Sequence, residues 1–250
     1  MRARHRHFKF GAVEKARLVL DSRYIHQSDN TELSPWSDRS GSGNDVSQAT
    51  SANRPTFQTA EQGGNGVVRF DGSNDVLTRN EITISSPVAA TAFLYFKRTA
   101  SNDIRTIIEV PDYVRVAQID AGSSNGSDAG LNWIGWADNG TSVIDPSQGV
   151  DVAAGAYALC VITYNGGTSN NKDSYTFSRD GTLQTIVQGT AGGNAALGRL
   201  SNVGIGGRSN NTQLASVDIG FVGIFGIDMA SPLRKRCEHA NAFAFKHSCN

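Results

Sequence analysis

The stretch from Trp36 to Thr78, WSDRSGSGNDVSQATSANRPTFQTAEQGGNGVVRFDGSNDVLT, constrains the fold more than any other part of the chain. Its first half is turn chemistry: Ser40-Gly-Ser-Gly-Asn-Asp45 supplies residues that tolerate positive φ or close turns on their own backbone. Its second half holds a short apolar run, Val67-Val68-Arg69-Phe70, broken at Asp71-Gly72 and resumed at Val76-Leu77. Asp-Gly followed by Asn-Asp between apolar pairs predicts a tight turn that returns the chain on itself. Trp36 is expected to pack in the core and pin the turn.

Strand patterns follow at short intervals. Thr91–Thr99 places Phe93, Tyr95 and Lys97 on one face and Ala92, Leu94 and Phe96 on the other, so this strand should be central and covered on both sides. Residues 104–110 and 114–119 predict a hairpin around Pro111-Asp112. Leu131–Ala137 and Tyr157–Tyr164 read as strands, and Asp180-Gly181 should close another hairpin. Residues 202–207 form a glycine-broken strand. Val217–Phe225 alternates Val217, Ile219 and Phe221 against Asp218, Gly220 and Val222. About a dozen strands at this spacing predict an all-β antiparallel sandwich. Ser231-Pro232 then starts a single C-terminal helix with Leu233, Cys237, Ala240 and Ala244 on one face.

The motif Trp36-x-Asp38-x-Ser40-Gly-x-Gly-Asn-Asp45, with Gln48-Ala49-Thr50, Arg54-Pro55-Thr56 and Val68-Arg-Phe-Asp-Gly-Ser-Asn-Asp75-x-Leu77, resembles the laminin-G-like, concanavalin A-like domains. Leu18-Val19-Leu20-Asp21 resembles that family's first strand, and the segment 231–246 its closing helix. The resemblance implies a two-sheet jelly-roll sandwich over residues 16–250, preceded by a basic arm at 1–15. It also implies a place outside cells or on a virus particle.

Composition narrows the function. A chain of 250 residues suits one such domain. It can bury ~75% of its unfolded surface, so no metal or disulfide is required to hold the core. Zero net charge argues against a membrane-surface or nucleic-acid binder, and 27 glycines fit a turn-rich β protein. No apolar run approaches the ~20 residues that span a bilayer. The basic start has no apolar stretch behind it, so no secretory signal is expected. Cys160, Cys237 and Cys249 are odd in number and form no CxxC pair, hence no disulfide framework.

Catalytic patterns are missing. Laminarinase-type relatives need two carboxylates two residues apart on one strand face. None of the six glutamates (Glu14, Glu32, Glu61, Glu81, Glu109, Glu238) has an acidic residue two positions on. Gly122-Ser-Ser-Asn-Gly126 matches a nucleophile elbow literally but lacks the helix that motif requires. Cys237-x-His239 and His247-x-Cys249 are spaced wrongly for zinc. The reading is therefore a non-enzymatic surface module. The expected setting is the surface of a bacteriophage virion, as a decoration, fibre or adhesin component made without a signal peptide. An exported bacterial carbohydrate-binding module is the alternative.

Partners then follow from residue type. Trp133 or Trp136 with Asp138 and Asn139, and Tyr113, could stack and hydrogen-bond a cell-surface glycan. Asp71, Asn74 and Asp75 offer oxygen donors for calcium in one turn. Arg2, Arg4, Arg6 and Lys9 form an arm for docking on other virion proteins of a capsid or tail, with homo-oligomerisation as a further expectation.

Overall fold

The computed structural model describes residues 16–80, 82, 89–98, 105–110, 114–119, 130–134, 144–145, 154–167, 171–185, 187–188 and 202–227. Residues 110, 114–119, 130–134, 144–145, 172 and 187–188 are described by backbone alone. Sixteen strands lie within this set: β1 (Ala16–Asp21), β2 (Thr31–Glu32), β3 (Thr56–Gln62), β4 (Asn65–Asp71), β5 (Leu77–Arg79), β6 (Ala90–Arg98), β7 (Arg105–Val110), β8 (Val114–Ile119), β9 (Gly130–Ile134), β10 (Ile144–Asp145), β11 (Tyr157–Tyr164), β12 (Tyr175–Arg179), β13 (Thr182–Leu183), β14 (Val187–Gln188), β15 (Val203–Ile205) and β16 (Ser216–Phe225).

They form an all-β sandwich of two antiparallel sheets. The larger runs β13-β12-β11-β6-β16-β4-β3-β2, with β1 also paired to β16, and the smaller runs β5-β15-β7-β8-β9. Strands β1 and β4 share one edge of β16: β4 pairs with Ser216–Ile219 and β1 with Phe221–Phe225. Strands β10 and β14 form a separate pair. The predicted C-terminal helix lies outside the described residues, as do Cys237 and Cys249.

Both sheets contribute to one core, which includes Leu18, Phe70, Leu94, Phe96 and Val217 from the larger, Leu77, Ile108, Val203 and Ile205 from the smaller, and Trp36 from the loop that follows β2. A second buried cluster, Val19, Phe93, Tyr95, Leu159, Val161, Phe221 and Phe225, comes from the larger sheet alone. Strand β6 is accordingly buried on both faces, as its sequence requires, and β11 sits between β6 and β12.

Two readings need correction. The Asp71–Asp75 turn does not return the chain on itself, because β4 belongs to the larger sheet and β5 to the smaller. The hairpin partner of β4 is β3, joined through Gly63-Gly64 at φ 60° and 86°. Gly-Gly suits that two-residue connection because both positions need positive φ. In β16 the register shifts between Ile219 and Phe221, and the extra residue reverses the side-chain alternation. Phe221 therefore joins the outer cluster, while Val217, Ile219, Val222 and Ile224 face the inter-sheet core.

Candidate functional site

The 36–50 stretch is a clamp on the free edge of β1, built from its own polar side chains. Asp38 Oδ1 accepts from the backbone N–H of Val19 (2.9 Å) and of Ser40 (2.8 Å). Its Oδ2 accepts from the Ser40 hydroxyl (2.7 Å) and the Asn44 N–H (2.9 Å). The Arg39 N–H donates to the Val19 carbonyl (2.7 Å), and Asn44 Nδ2 donates to that of Arg17 (2.7 Å). An exposed strand edge is a template for unwanted pairing, and this loop occupies it. The Arg54 guanidinium likewise donates to the carbonyls of Gln48 and Ala49 (both 2.9 Å). The residues that carry the family resemblance thus do structural work.

The three candidate calcium ligands share one turn. Asp71 Oδ1 accepts from the N–H groups of Ser73 (2.7 Å) and Asn74 (3.2 Å), and Asn74 Nδ2 donates to the Ala52 carbonyl (2.6 Å). Asp75 Oδ2 accepts from the Asp71 N–H (3.0 Å). Burial pushes the Asp75 carboxyl up to about 6, opposed by that hydrogen bond and reinforced by the Asp71 charge. Calcium takes ~6–8 oxygens. Asp71 and Asp75 each commit an oxygen to the turn and Asn74 ties it to Ala52, and among the described residues no three His, Cys, Asp or Glu converge on a common point.

Of the candidate glycan residues, Tyr113, Trp136, Asp138 and Asn139 lie outside the described residues, as do Arg2, Arg4, Arg6 and Lys9 of the arm. Trp133 is in β9, in the cross-strand row Leu77–Ile205–Ile108–Val116–Trp133. Leu77, Ile205 and Ile108 of that row belong to the inter-sheet core.

Other carboxylates are held by cations or amides. Asp218, with its side chain 5% exposed, accepts from Arg69 Nε (2.7 Å) and Nη2 (2.9 Å), and pairs with Lys97 Nζ at 2.7 Å. Burial alone would raise its pKa, but the hydrogen bonds and charges of Arg69 and Lys97 prevail and hold it below the ordinary carboxylate value. Glu61 joins Arg69 at 2.9 Å, closing a network on the outer face of the larger sheet. Lys97 also lies 5.0 Å over the Tyr157 ring, whose hydroxyl is pushed upward in pKa by burial first and by the Asp218 and Glu61 charges next. On the smaller sheet Glu109, itself buried, accepts from Arg208 Nε (2.9 Å) and from the Ser209 N–H (3.0 Å). Each is satisfied by fixed partners.

Sequence reasoning missed one exposed feature. Tyr24, the last residue of the short 3-10 turn Ser22–Tyr24, is 38% exposed, and the Arg39 guanidinium lies 4.3 Å over its ring. The fifteen positions separating them in sequence gave no signal; β1 and the Asp38 clamp bring the two together.

No family model matches the chain, and no curated protein matches it by sequence. Solved structures do share its fold. The receptor-binding domain of botulinum neurotoxin mosaic serotype C/D matches at TM-score 0.55 and 13% identity, over 90% of this chain and 50% of that one. The botulinum neurotoxin serotype D binding domain matches at TM-score 0.54 and 11% identity, over 90% and 51%. Trypanosoma rangeli sialidase, solved with sialic acid, matches at TM-score 0.56 and 12% identity, over 91% and 33%. The chain thus spans about half the length of the toxin domains and a third of the sialidase. At this identity the likeness establishes the two-sheet β-sandwich they have in common.

Proposed function

We propose that the chain is a non-enzymatic recognition module that binds glycans at a biological surface. The observation that carries this reading is the sandwich shared, over nine-tenths of the chain, with domains described as receptor-binding. It is supported by the absence of paired catalytic carboxylates in the sequence and by the structural employment of Asp38, Asp218 and Glu109. The contact is assigned to Tyr113 and to Trp136, Asp138 and Asn139, since the register of β9 puts Trp133 in the row that lines the inter-sheet core. An aromatic face takes sugar C–H groups there while the amide and carboxylate take hydroxyls. The virion surface is the proposed setting, with Arg2, Arg4, Arg6 and Lys9 docking on an acidic face of a neighbouring virion protein. A glycan array probed with the full chain and with Trp136→Ala/Asp138→Ala tests the assignment. Binding to a defined glycan set that the double variant loses is the expected outcome. An array with no bound glycan, or a variant that binds like the parent, refutes it.

A further inference from the structure

We infer that the outer face of the larger sheet is the docking surface for the chain's own C-terminal segment, residues 228–250, which lies on it as a helix with Leu233, Cys237, Ala240 and Ala244 turned to the sheet. The face itself sets the requirement. Three cross-strand rows compose it: Thr163–Thr91–Phe225–Ala16, Val161–Phe93–Gly223–Val19 and Leu159–Tyr95–Phe221–Asp21. The rings of Phe221 and Phe225 meet over Gly223, where an added Cβ would sit 2.9 Å from one and 3.0 Å from the other. Phe93 stands edge-on to Phe225 at 5.7 Å. Phe93, Tyr95, Leu159, Phe221 and Phe225 are all 0% exposed.

Side chains standing on a sheet shield one another sideways and leave their tips open, so burial this complete needs a second layer above them. The smaller sheet lies on the opposite side, across the inter-sheet core, and β10 neighbours β9 of that sheet. Among the described residues, the partly buried hydrophobics packed against the outer cluster are Tyr157, itself part of the sheet, and Ile227. The second layer therefore comes from residues beyond the described ones. It also belongs to this chain, because a single chain buries the face without a second copy.

The path of the chain names the segment. The Thr91 hydroxyl, on the outer face, donates to the Ile227 carbonyl (2.9 Å), and Ile227 packs against the cluster, so the backbone leaves β16 on this side. Residues 228–231 reach ~13 Å when extended, enough to turn back over the sheet before Ser231-Pro232 starts the helix. A helix over 232–246 is ~22 Å long, and the four strands it must cross, β11, β6, β16 and β1, span ~14 Å. Leu233, Cys237, Ala240 and Ala244 recur at steps of four, three and four, which makes one stripe. Three of the four are small, so the helix can settle closely on a sheet face that is bulky and aromatic. Lys235, His239 and Lys246 fall on the opposite side, in water. The N-terminal segment enters the same end of the sheet at Ala16, but it carries Arg2, Arg4, Arg6 and Lys9 without an apolar stripe. Laying it here would bury cations against aromatic rings and aliphatic side chains at a high desolvation cost. The inference does not rest on the glycan reading, and it removes this sheet face from the surfaces a ligand can reach.

The test is maleimide labelling of single cysteines in the full chain, in a Cys237→Ser/Cys249→Ser background where the remaining Cys160 is buried. Leu233→Cys, Ala240→Cys and Ala244→Cys should react at least about a hundredfold more slowly than Lys235→Cys, His239→Cys and Ala242→Cys, because a docked position waits for local opening. In denaturant all six should react alike. Leu233→Asp, added to Ala244→Cys, should speed labelling at least about tenfold and raise binding of an apolar dye, since a carboxylate against the aromatic face favours the undocked segment. Lys235→Asp, added to the same cysteine variant, should do neither. Equal native-state rates at all six positions, whether fast or slow, overturn the inference, as does a Leu233→Asp variant that labels like its parent. Protection of Phe8→Cys and Phe10→Cys, with positions 233–244 all reactive, gives the face to the N-terminal segment and overturns it as well.

Discussion

Phe70 shows how a single side chain can hold the sandwich together. It is fully buried, and Gly206 of the opposite sheet packs so closely that a Cβ there would sit 2.1 Å from Phe70 Cδ1. Phe70→Ala should cost about 3–5 kcal/mol in chemical denaturation as a cavity-forming truncation. Gly206→Ala should cost on the order of 2–4 kcal/mol, since φ is +79° and the added methyl overlaps the ring. A Gly206→Ala variant as stable as the parent would mean the two sheets do not meet there. Two buried carboxylates respond to pH with opposite sign. Asp75 titrates at about 6 in the fold against an ordinary 3.8, so the folded state holds its proton more tightly. Its ionisation therefore removes stability as pH rises from about 4 to 6. Asp218 is held below the ordinary value, so its stabilisation is fully present above that value and is lost as pH falls below it through the depressed folded-state pKa. Asp75→Asn keeps an acceptor for the Asp71 N–H, so it should raise the melting temperature more at about pH 7.5 than at about pH 4.5. An equal effect at both pH values would contradict the shift.

At the scale of elements, the 38–45 clamp matters more than its turn composition suggests. Asp38→Ala strands the N–H groups of Val19, Ser40 and Asn44 and uncovers the β1 edge. A loss of about 2–4 kcal/mol is expected, from unpaired donors worth ~1–3 kcal/mol each that water partly repays, together with faster aggregation seen by light scattering. The strands β6, β7, β8, β11 and β16 were legible in the sequence because each carries a long apolar or alternating run. The fate of the Asp71–Asp75 turn was not, since identical turn residues serve a hairpin and a crossing between sheets, and only the distant pairings of β4 with β16 and β5 with β15 decide between them. The face of Phe221 was equally hidden, because a bulge leaves no mark on a period-two count apart from Gly220. The Gly63-Gly64 hairpin is readable from its turn residues alone, since both positions take positive φ. The Tyr24–Arg39 pair could not be read at all, because contact across a clamp has no periodicity.

The whole molecule is a two-sheet β-sandwich whose described buried charges are bound to fixed partners, and the proposed chemistry is on its surface. If the proposed docking arm operates, removing residues 1–10 should leave the melting temperature unchanged and abolish association with an acidic partner surface, an association weakened by salt because charges are screened over ~8 Å near physiological ionic strength. Association that survives the deletion removes the docking arm from the account. Glycan recognition without turnover is the central claim, and frontal chromatography of defined oligosaccharides over the immobilised full chain measures both halves of it together. A subset of glycans that is retarded and elutes chemically intact is the predicted result; elution of every glycan at the void front, or recovery of shortened products, would contradict it.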